Sequence, residues 1–525
     1  MNPERKTLPI GIESFATIRQ GNFYYVDKTP FALSLAQEAG RYFLSRPRRF
    51  GKSLFVDMLK ELFEGNQALF VGLDIHDKWD WTQRFPVIHI NFAAGELKSR
   101  AELDRRIRTI LRLNLERLGL DVDPAEDIVD CFERLTHQAA SRHGQRVVIL
   151  VDEYDKPILD NILDRETASA MREGLRNLYS VIKGADAHIR FVFLTGVSKF
   201  SKASLFSGLN NLRDITLSEP YSAICGYTDF DVDTVFADQL PGLDREQIRR
   251  WYNGYNWTGA AVYNPFDVLL LFVERKFGTW WCNTGTPSFL FKLMQQEGFF
   301  SPALAKLCAG EELISAMDVD EMTPQALLFQ TGYLTIHQIG QALSGETNFT
   351  LGYPNKEVEL SLNKSLLKAY TGSAVKSEAH RQSLAALLAA SDVAGMRALF
   401  QSFFASIPHQ WYTNNAIAQY EGFYASVFYS YFAALGLNTQ VEDATNLGRI
   451  DMSLQVAGQI WLFEFKVVEA TPSGRALQQI KDKGYADKYR ALGLPIHLIG
   501  VEFSKEQRNV VGFEVETLVP SASAA

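Results

Sequence analysis

The sequence predicts a multidomain α/β protein whose first part is a parallel sheet with crossover helices. Two observations favour this fold class. The chain has 525 residues, enough for roughly three or four domains of about 100–200 residues each. Short apolar runs also alternate with amphipathic helical stretches through the first 200 residues, as in parallel sheets. The strand-like runs cover residues 42–44, 85–92, 147–151 and 189–194.

Composition and charge exclude several classes of protein. Hydrophobic residues make up 46% of the chain and charged residues 22%, which is typical of folded domains rather than disordered ones. The formal net charge is −8, so no overall basic surface attracts nucleic acid or an anionic membrane. The four cysteines lie far apart, which excludes a zinc ribbon, an iron–sulfur site and a disulfide framework. Since no signal peptide and no run of ~18 apolar residues is present, we expect a cytoplasmic protein with no membrane partner.

The character of the chain changes along its length. From about Tyr221, helices with many aromatic residues predict a helical lid. Residues 320–370 predict a helix, a hairpin that turns near Gly345 and another helix, together a small winged-helix-like unit. A second α/β alternation begins after Trp411. We therefore expect domains at residues 1–220, 221–318, 319–405 and 406–518.

A phosphate-binding loop is predicted between the first strand and the helix after it. Residues 42–53 end in Gly51, Lys52 and Ser53. Gly51 would let the backbone close on a phosphate, Lys52 would reach the β- and γ-phosphates, and Ser53 would bind Mg²⁺. The pattern GxxxxGK[ST] matches only in part, because Arg46 stands at the position of its first glycine. A helix start with an exposed lysine is the alternative.

An acidic strand end strengthens this interpretation. The apolar run 147–151 leads directly into Asp152 and Glu153. The first carboxylate can hold Mg²⁺ and the second can activate water. Solvated acids at a strand end are the alternative. Loop and acidic strand in this order predict an ATP-binding site of the P-loop NTPase kind, and Glu153 favours hydrolysis as well.

Further polar residues are candidates for the same site. Thr195 and Ser198 follow the strand at 189–194, where a γ-phosphate sensor would lie, although ordinary turn residues fit the pattern equally well. Arg46, Arg48 and Arg49 form a dense positive loop. They would stabilise transition-state charge, or pair with phosphate in place of the missing glycine.

A metal-dependent nuclease site is predicted in the C-terminal part. Residues 446–454 and 460–467 have strand patterns, and alternation places Glu464 and Lys466 on one face. A hairpin would bring Asp451 near them. Two carboxylates can bind Mg²⁺ or Mn²⁺ while the lysine orients the attacking water. An exposed strand face with an ion pair is the alternative.

A helix predicted over residues 476–491 adds a polar and locally basic face. It carries Gln479, Lys483 and Tyr485, which suit contacts with phosphate groups. Nucleic acid, and DNA in particular, is therefore the expected partner, with an ordinary solvated helix as the alternative.

Together these motifs resemble the AAA-ATPase-like domain family of prokaryotic proteins that carry a C-terminal PD-(D/E)XK nuclease-superfamily domain. The resemblance spans nearly the whole chain. It rests on the segments LPIGI (8–12), YVDKT (25–29), LSRPRRFGKS (44–53), VDEYDKP (151–157), WYNGY (251–255), FQTGYL (329–334), GRID (448–451) and EFK (464–466).

The resemblance implies an AAA-like ATPase core and a nuclease-like domain with assigned site residues. It places the nucleotide and Mg²⁺ at Lys52, Ser53, Asp152 and Glu153, and the nuclease site at Asp451, Glu464 and Lys466. It also implies Glu421 as an added metal ligand, as in some members of the nuclease superfamily. The chain departs from the pattern at Ile450, which replaces a proline, and at Ala425, which replaces a histidine.

The sequence thus predicts a protein that binds and hydrolyses ATP and couples this to Mg²⁺- or Mn²⁺-dependent cleavage of DNA, in defence or mobile-element biology. The alternative is an ATP-driven regulatory or chaperone-like switch whose nuclease-like domain only binds nucleic acid or protein. Because AAA-like enzymes often work as rings, a homo-oligomer is one expected form of the protein, alongside a monomer.

Overall fold

The computed structural model divides the chain into two compact units. It describes residues 6–38, 40–121, 127–200, 211–283, 304–311, 323–342, 344–407 and 421–520. The first unit comprises Met1–Gly285 and Leu307–Asn355, and the second comprises Thr286–Lys306 and Lys356–Ala525. The boundary after Asn355 falls inside residues 319–405, which the sequence predicted as a single connecting domain.

A five-stranded sheet forms the centre of the first unit. Its strands are β1 (Arg41–Ser45), β2 (Val87–Asn91), β3 (Val147–Asp152), β4 (Ile189–Gly196) and β5 (Arg213–Asp214). They follow the order β2-β3-β4-β1-β5, and every neighbouring pair is parallel. The predicted parallel sheet is therefore confirmed, and β3 is buried along its whole length, as expected for a central strand between helices.

The helices that join these strands have the caps and apolar spacing expected of them. The Ser99 hydroxyl, for example, accepts a hydrogen bond from the backbone N–H of Glu102 at the start of one helix. The helix after β1 buries Phe55, Leu59 and Leu62, which lie three or four residues apart and so share one side. The helices of this part are Phe15–Gln20, Thr29–Gln37, Lys52–Phe63, Arg100–Leu118, Ile128–His143, Lys156–Leu159 and Arg165–Gly184.

A helical segment follows the sheet, as the sequence predicts from about residue 221. Its helices are Asp229–Val235, Arg245–Tyr252, Pro265–Glu274 and Trp280–Asn283. Phe236, Ile248 and Phe272 form a core there together with Tyr24 and Val26 from the N-terminal part of the chain. The N-terminal segment therefore packs against this helical segment, a long-range contact that the sequence did not indicate.

A small antiparallel sheet completes the first unit. Its strands are β6 (Leu307–Gly310), β7 (Thr335–Gln341) and β8 (Thr347–Gly352), in the order β6-β8-β7. The helix Pro324–Gln330 precedes β7, so the predicted helix and hairpin are confirmed. The next helix, Lys356–Thr371, packs against the helix Glu421–Ala433 in the second unit. The boundary between the two units thus falls between the hairpin and the helix that the sequence grouped with it.

The second unit contains another five-stranded sheet. Its strands are β9 (Thr439–Thr445), β10 (Gly448–Val456), β11 (Gln459–Val468), β12 (Ile496–Ser504) and β13 (Asn509–Leu518), in the order β13-β12-β11-β10-β9. Only the β11–β12 pair of this sheet is parallel. Phe428 packs against Phe463 and Phe465, whereas Leu462 packs with Ile480. Because neighbouring residues of a strand point to opposite faces, helices cover both sides of β11.

The helices of the second unit differ from the prediction at one place. They are Lys356–Thr371, Ala374–Ala390, Val393–Ser406, Glu421–Ala433, Arg475–Asp482 and Asp487–Arg490. The single helix predicted over 476–491 is wrong, because the chain leaves the helical conformation at Gly484, where φ is 57°. Within the described ranges, no helix combines the length and the apolar character needed to cross a membrane.

Candidate functional sites

The turn after β1 places the Gly-Lys-Ser triplet at the start of a helix, as the motif predicts. Gly51 precedes the helix Lys52–Phe63 and has a φ of 91°, a conformation that favours glycine. Lys52 is 7% exposed, and its Nζ donates a hydrogen bond of 2.9 Å to the carbonyl group of Pro47. The loop therefore curls around the Lys52 ammonium group, beside the positive end of the helix dipole.

A cavity of about 510 Å³ opens beside this loop. Its volume lies within the range of about 300–1,000 Å³ that is usual for small-molecule sites. The predicted loop residues that line it are Arg48, Arg49, Gly51, Lys52 and Ser53. Apolar and aromatic side chains form another part of its wall, among them Ile12, Tyr25, Val26, Tyr227, Phe266 and Leu269. The cavity thus combines cationic groups with an apolar wall.

The acidic pair at the end of β3 meets the loop. The Ser53 hydroxyl donates a hydrogen bond to the carboxylate of Asp152, which is 1% exposed. Burial raises the pKa of Asp152 to about 6, although the Ser53 hydroxyl and the charge of Lys52 act in the opposite direction. Glu153 lines the cavity and has a φ of 51°, which few residues other than glycine adopt. The two predicted Mg²⁺ ligands are therefore in contact, and Glu153 faces the cavity.

These donors fit a nucleotide with its divalent cation. Hydroxyl and carboxylate oxygens, here from Ser53 and Asp152, are the ligands that Mg²⁺ prefers. Guanidinium and ammonium groups, here from Arg48, Arg49 and Lys52, pair with phosphate oxygens. The chemistry of the side chains around the cavity therefore matches the predicted ligand.

Arg46 lies away from this cavity, and its predicted role as a phosphate ligand needs correction. Its guanidinium group is fully buried and donates hydrogen bonds to the carbonyl groups of Ser45, Thr216 and Tyr221. It also lies 4.1 Å from the centre of the Trp257 ring. Burial lowers its pKa to about 10. This value still leaves the guanidinium group charged at neutral pH. Arg46 therefore joins elements of the first unit instead of facing the cavity.

The two candidate sensors at the end of β4 are also engaged elsewhere. The Thr195 hydroxyl donates a hydrogen bond of 2.8 Å to the carbonyl group of Leu44. The Ser198 hydroxyl donates one of 2.5 Å to the carboxylate of Asp155. Both side chains are fully buried and neither lines the cavity. Their positions give no support to a sensor role.

The cavity also contains cationic residues that the sequence did not assign. Lys156 donates hydrogen bonds of 2.6 Å to the carbonyl group of Gly95 and 2.5 Å to the carboxylate of Asp160. Lys28 pairs with Asp231 at 3.1 Å. Lys28 belongs to the segment YVDKT and Lys156 to the segment VDEYDKP. Their place inside these motifs is the sequence signal that could have identified them as cavity residues.

Strands β10 and β11 bring three predicted nuclease residues together. The two strands pair in antiparallel fashion, so the predicted hairpin is confirmed. The carboxylate of Asp451 accepts a hydrogen bond of 2.7 Å from the backbone N–H of Phe465. Glu464 is fully buried, and its Oε1 lies 3.2 Å from Nζ of Lys466. One carboxylate from each strand and one lysine therefore form a single cluster, here called the carboxylate cluster.

The helix Arg475–Asp482 adds Gln479 to the surroundings of the carboxylate cluster. The side-chain amide of Gln479 donates a hydrogen bond to the Glu464 carboxylate. Tyr485 forms a hydrogen bond with Gln479, but it is only 2% exposed, which leaves little of it for the predicted contact with nucleic acid. Lys483 follows the last residue of the helix and is exposed. Gln479 thus supports the cluster, and Lys483 lies on the surface.

The carboxylate cluster offers two acidic side chains to a divalent cation. Glu421 begins the helix Glu421–Ala433, but its side chain lies outside the described residues. In the part of the chain that the structure describes, no group of three or more His, Cys, Asp or Glu side chains is arranged to hold a metal ion. Mg²⁺ usually takes one or two carboxylates and keeps several waters. The oxygen donors of Asp451 and Glu464 therefore fit Mg²⁺ or Mn²⁺.

Comparison with protein families gives matches to both parts of the chain. Residues 9–206 match the family described as predicted AAA-ATPase. Residues 419–513 match the PD-(D/E)XK nuclease superfamily. The first range contains the loop after β1 and the acidic end of β3, and the second contains the carboxylate cluster.

Individual relatives extend this comparison. The chain is 58% identical over 515 residues to a protein of Azotobacter chroococcum mcd 1 described as an uncharacterized protein in the vnfD 5′ region, and the match covers 98% of this chain and 99% of the relative. Among solved structures it is similar to the ORC2 protein of Aeropyrum pernix in ADPNP-ADP complexes (12% identity, TM-score 0.26, 62% of this chain and 88% of that one). Drosophila ORC bound to AT-rich DNA and Cdc6 is a further match (13% identity, TM-score 0.19, 64% and 90%).

Proposed function

Because this chain belongs to the family of predicted AAA-ATPases that carry a C-terminal PD-(D/E)XK nuclease-superfamily domain, we propose that it is an ATP-controlled, metal-dependent nuclease acting on DNA. The observation that carries the proposal is the cluster of Asp451, Glu464 and Lys466, since a simple ion pair on a strand does not need a second carboxylate beside it. Defence against foreign DNA or a role in mobile elements is the biology that such a pairing of ATPase and nuclease would serve.

ATP would bind in the cavity of the first unit. Arg48, Arg49 and Lys52 would hold its phosphates, and the apolar wall around Tyr227 and Phe266 would accept the base. The cavity has the volume that a bound nucleotide needs. Its mixed lining supports a ligand with one highly charged end and one flat apolar end.

Hydrolysis would use the residues around the end of β3. Ser53 and Asp152 would hold Mg²⁺, which when bound supplies positive charge to the β- and γ-phosphates. Glu153 faces the cavity and would accept a proton from the attacking water. Its unusual backbone conformation supports this role, because strained conformations tend to occur at functional positions.

Phosphodiester cleavage would take place at the carboxylate cluster. Asp451 and Glu464 would hold Mg²⁺ or Mn²⁺, which when bound supplies Lewis-acid stabilisation at the scissile phosphate. Lys466 would orient the attacking water, and Gln479 would keep the Glu464 carboxylate in place. Lys483 is exposed at the end of the helix and would contact the DNA backbone.

A second candidate is an ATP-driven regulatory or chaperone-like switch whose nuclease-like domain only binds nucleic acid or protein. One observation favours it. The Lys466 ammonium group donates a hydrogen bond of 2.8 Å to the carbonyl group of its neighbour Phe465, in addition to its ion pair with Glu464. A lysine held in this way is less available to an attacking water.

Cleavage assays on plasmid and single-stranded DNA test the proposal. Wild type, Lys466→Ala and Lys52→Ala would be compared with Mg²⁺ or Mn²⁺, with and without ATP. We expect Lys466→Ala to abolish cutting and Lys52→Ala to change only its dependence on ATP. Lys505→Ala is the matched control, because Lys505 is an exposed lysine of the second unit paired with Glu469. If wild type hydrolyses ATP but leaves all DNA intact, the switch is the better description.

A further inference from the structure

The helix that carries Gln479 is anchored at its N-terminus by one buried carboxylate. This carboxylate belongs to Glu502 on β12, which is 2% exposed. Its two oxygens accept five hydrogen bonds. The donors are the backbone N–H groups of Ser473, Gly474 (3.2 Å), Arg475 (2.8 Å) and Ala476 (3.4 Å), and the hydroxyl group of Ser473 (2.8 Å).

Three of these donors, the N–H groups of Gly474, Arg475 and Ala476, are groups that the helix leaves without partners of its own. The first N–H groups of any helix need acceptors from outside it, and a negative charge at this end also interacts favourably with the helix dipole. Burial alone would raise the pKa of Glu502, but the hydrogen bonds from residues 473–476 outweigh it and hold the pKa below its ordinary value. Glu502 is therefore ionised and fully engaged with the helix Arg475–Asp482.

Glu502 also lies next to the carboxylate cluster in the sheet. Strands β11 and β12 are parallel, with Glu464 opposite Gly500 and Lys466 opposite Glu502. Alternate residues of a strand share a face, so these four residues lie on the same side of the sheet. Gly500 allows the helix to approach closely, because an added Cβ would overlap the backbone nitrogen of Leu477 and lie 2.8 Å from its Cα. The helix is thus held against the strand next to the cluster.

We propose that Glu502 is a positioning residue of the nuclease site. By anchoring the start of the helix Arg475–Asp482, it holds the Gln479 amide on the Glu464 carboxylate and so fixes that carboxylate for metal binding. The proposal rests on the nuclease function proposed above. Because both oxygens of Glu502 are occupied by N–H and O–H donors, Glu502 acts through the helix and is not itself a metal ligand.

The substitution Glu502→Gln tests this role, since the amide keeps the size of the side chain but replaces one acceptor oxygen with a donor. Two quantities would be measured on the full chain: Mn²⁺ affinity by titration calorimetry, and amide hydrogen exchange over residues 473–483. We expect faster exchange in this helix and a loss of Mn²⁺ affinity of about 10- to 100-fold, as for other residues that support metal ligands. Glu516→Gln is the matched control. Glu516 on β13 forms an exposed ion pair with Lys481 of the helix Arg475–Asp482, and the substitution removes only this pair.

A double substitution separates positioning from general destabilisation. Gln479→Ala alone should also weaken Mn²⁺ binding, and Glu502→Gln combined with Gln479→Ala should weaken it no further, because both act through one contact. Ser473→Ala is a milder variant that removes one donor to Glu502, and it should shift affinity in the same direction.

Each outcome has a distinct meaning. Additive losses in the double variant, or Mn²⁺ affinity unchanged by Glu502→Gln, would overturn the positioning role while leaving the nuclease proposal intact. A wild-type protein that binds no Mn²⁺ and cuts no DNA would instead overturn the nuclease proposal itself, and with it the role of Glu502.

Discussion

The side-chain oxygen of Gln330 accepts a hydrogen bond of 2.8 Å from the backbone N–H of Lys199, just beyond the end of β4. Two residues later, Gly332 packs directly against the ring of Pro47 in the loop after β1. The motif FQTGYL at 329–334 therefore contacts both the loop after β1 and the chain beyond β4. A nucleotide that shifts either of these elements would also shift the start of β7.

Gln330→Ala should weaken this connection. It leaves the Lys199 N–H without its acceptor, which should lower the free energy of unfolding by about 1–3 kcal/mol. ATP with Mg²⁺ should also raise the melting temperature of this variant less than that of wild type, measured by calorimetry. Gln338→Ala is the matched control, because Gln338 is exposed on β7. An ATP-induced shift equal to that of wild type would show that the contact does not sense the nucleotide.

Arg46→Lys should reduce stability and leave ATP affinity largely unchanged. A lysine cannot reproduce the planar group that meets three carbonyl groups and the Trp257 ring, so we expect a loss of about 3 kcal/mol in urea unfolding. Arg48→Lys is the contrasting variant, because Arg48 is exposed and lines the cavity. It should weaken ATP binding without affecting stability. Normal stability with weak ATP binding in Arg46→Lys would restore its predicted role at the phosphates.

These arginines illustrate what the sequence could and could not predict. Lys52, Ser53 and Asp152 could be predicted from local motifs. Their proximity could also be predicted, because a parallel sheet brings the carboxyl ends of its strands to one edge. The direction of the Arg46 side chain depends instead on Thr216, 170 residues further along the chain. No local pattern contains that information.

The second unit shows the same limit. Alternation and hairpin spacing placed Asp451 near Glu464 correctly. The role of Glu502 was not predicted, because it depends on the pairing of β11 with β12 and on a helix that starts at Arg475. Such contacts are set by the packing of the whole unit, which a single sequence does not display.

The pKa of Asp152 predicts a pH dependence of nucleotide binding. Burial raises this pKa to about 6, and a protonated carboxyl group is a poor ligand for Mg²⁺. The affinity for ATP with Mg²⁺ should therefore fall by up to about tenfold between roughly pH 7 and pH 5, with a midpoint near the pKa. A fluorescent ATP analogue would report it. Asp152→Asn should bind weakly and with little change over this range, and an identical pH profile in the variant would exclude Asp152 as the source.

The same carboxyl group should affect the stability of the ligand-free protein. The unfolded chain releases this proton near the ordinary aspartate pKa of 3.8, and the folded chain near 6. Between these values the folded state binds more protons, so its stability falls as pH rises, by about 2–3 kcal/mol in total. Urea unfolding of wild type and Asp152→Asn across this window should show the extra slope in wild type alone. Equal slopes would indicate that Asp152 has an ordinary pKa.

The closeness of Gly500 to Leu477 should make the proposed DNA cleavage sensitive to a single added methyl group. Gly500→Ala should push the helix Arg475–Asp482 away from β12 and move Gln479 off Glu464, so cleavage should fall by about tenfold or more. ATP hydrolysis should persist, because Gly500 does not line the cavity of the first unit. Gly458→Ala is the control: its φ of 72° makes an alanine strained, but an added Cβ meets no atom within 4 Å and leaves the helix in place. Full cleavage by Gly500→Ala would mean that the active carboxylate does not depend on this helix, whereas equal losses in both variants would point to general destabilisation of the sheet.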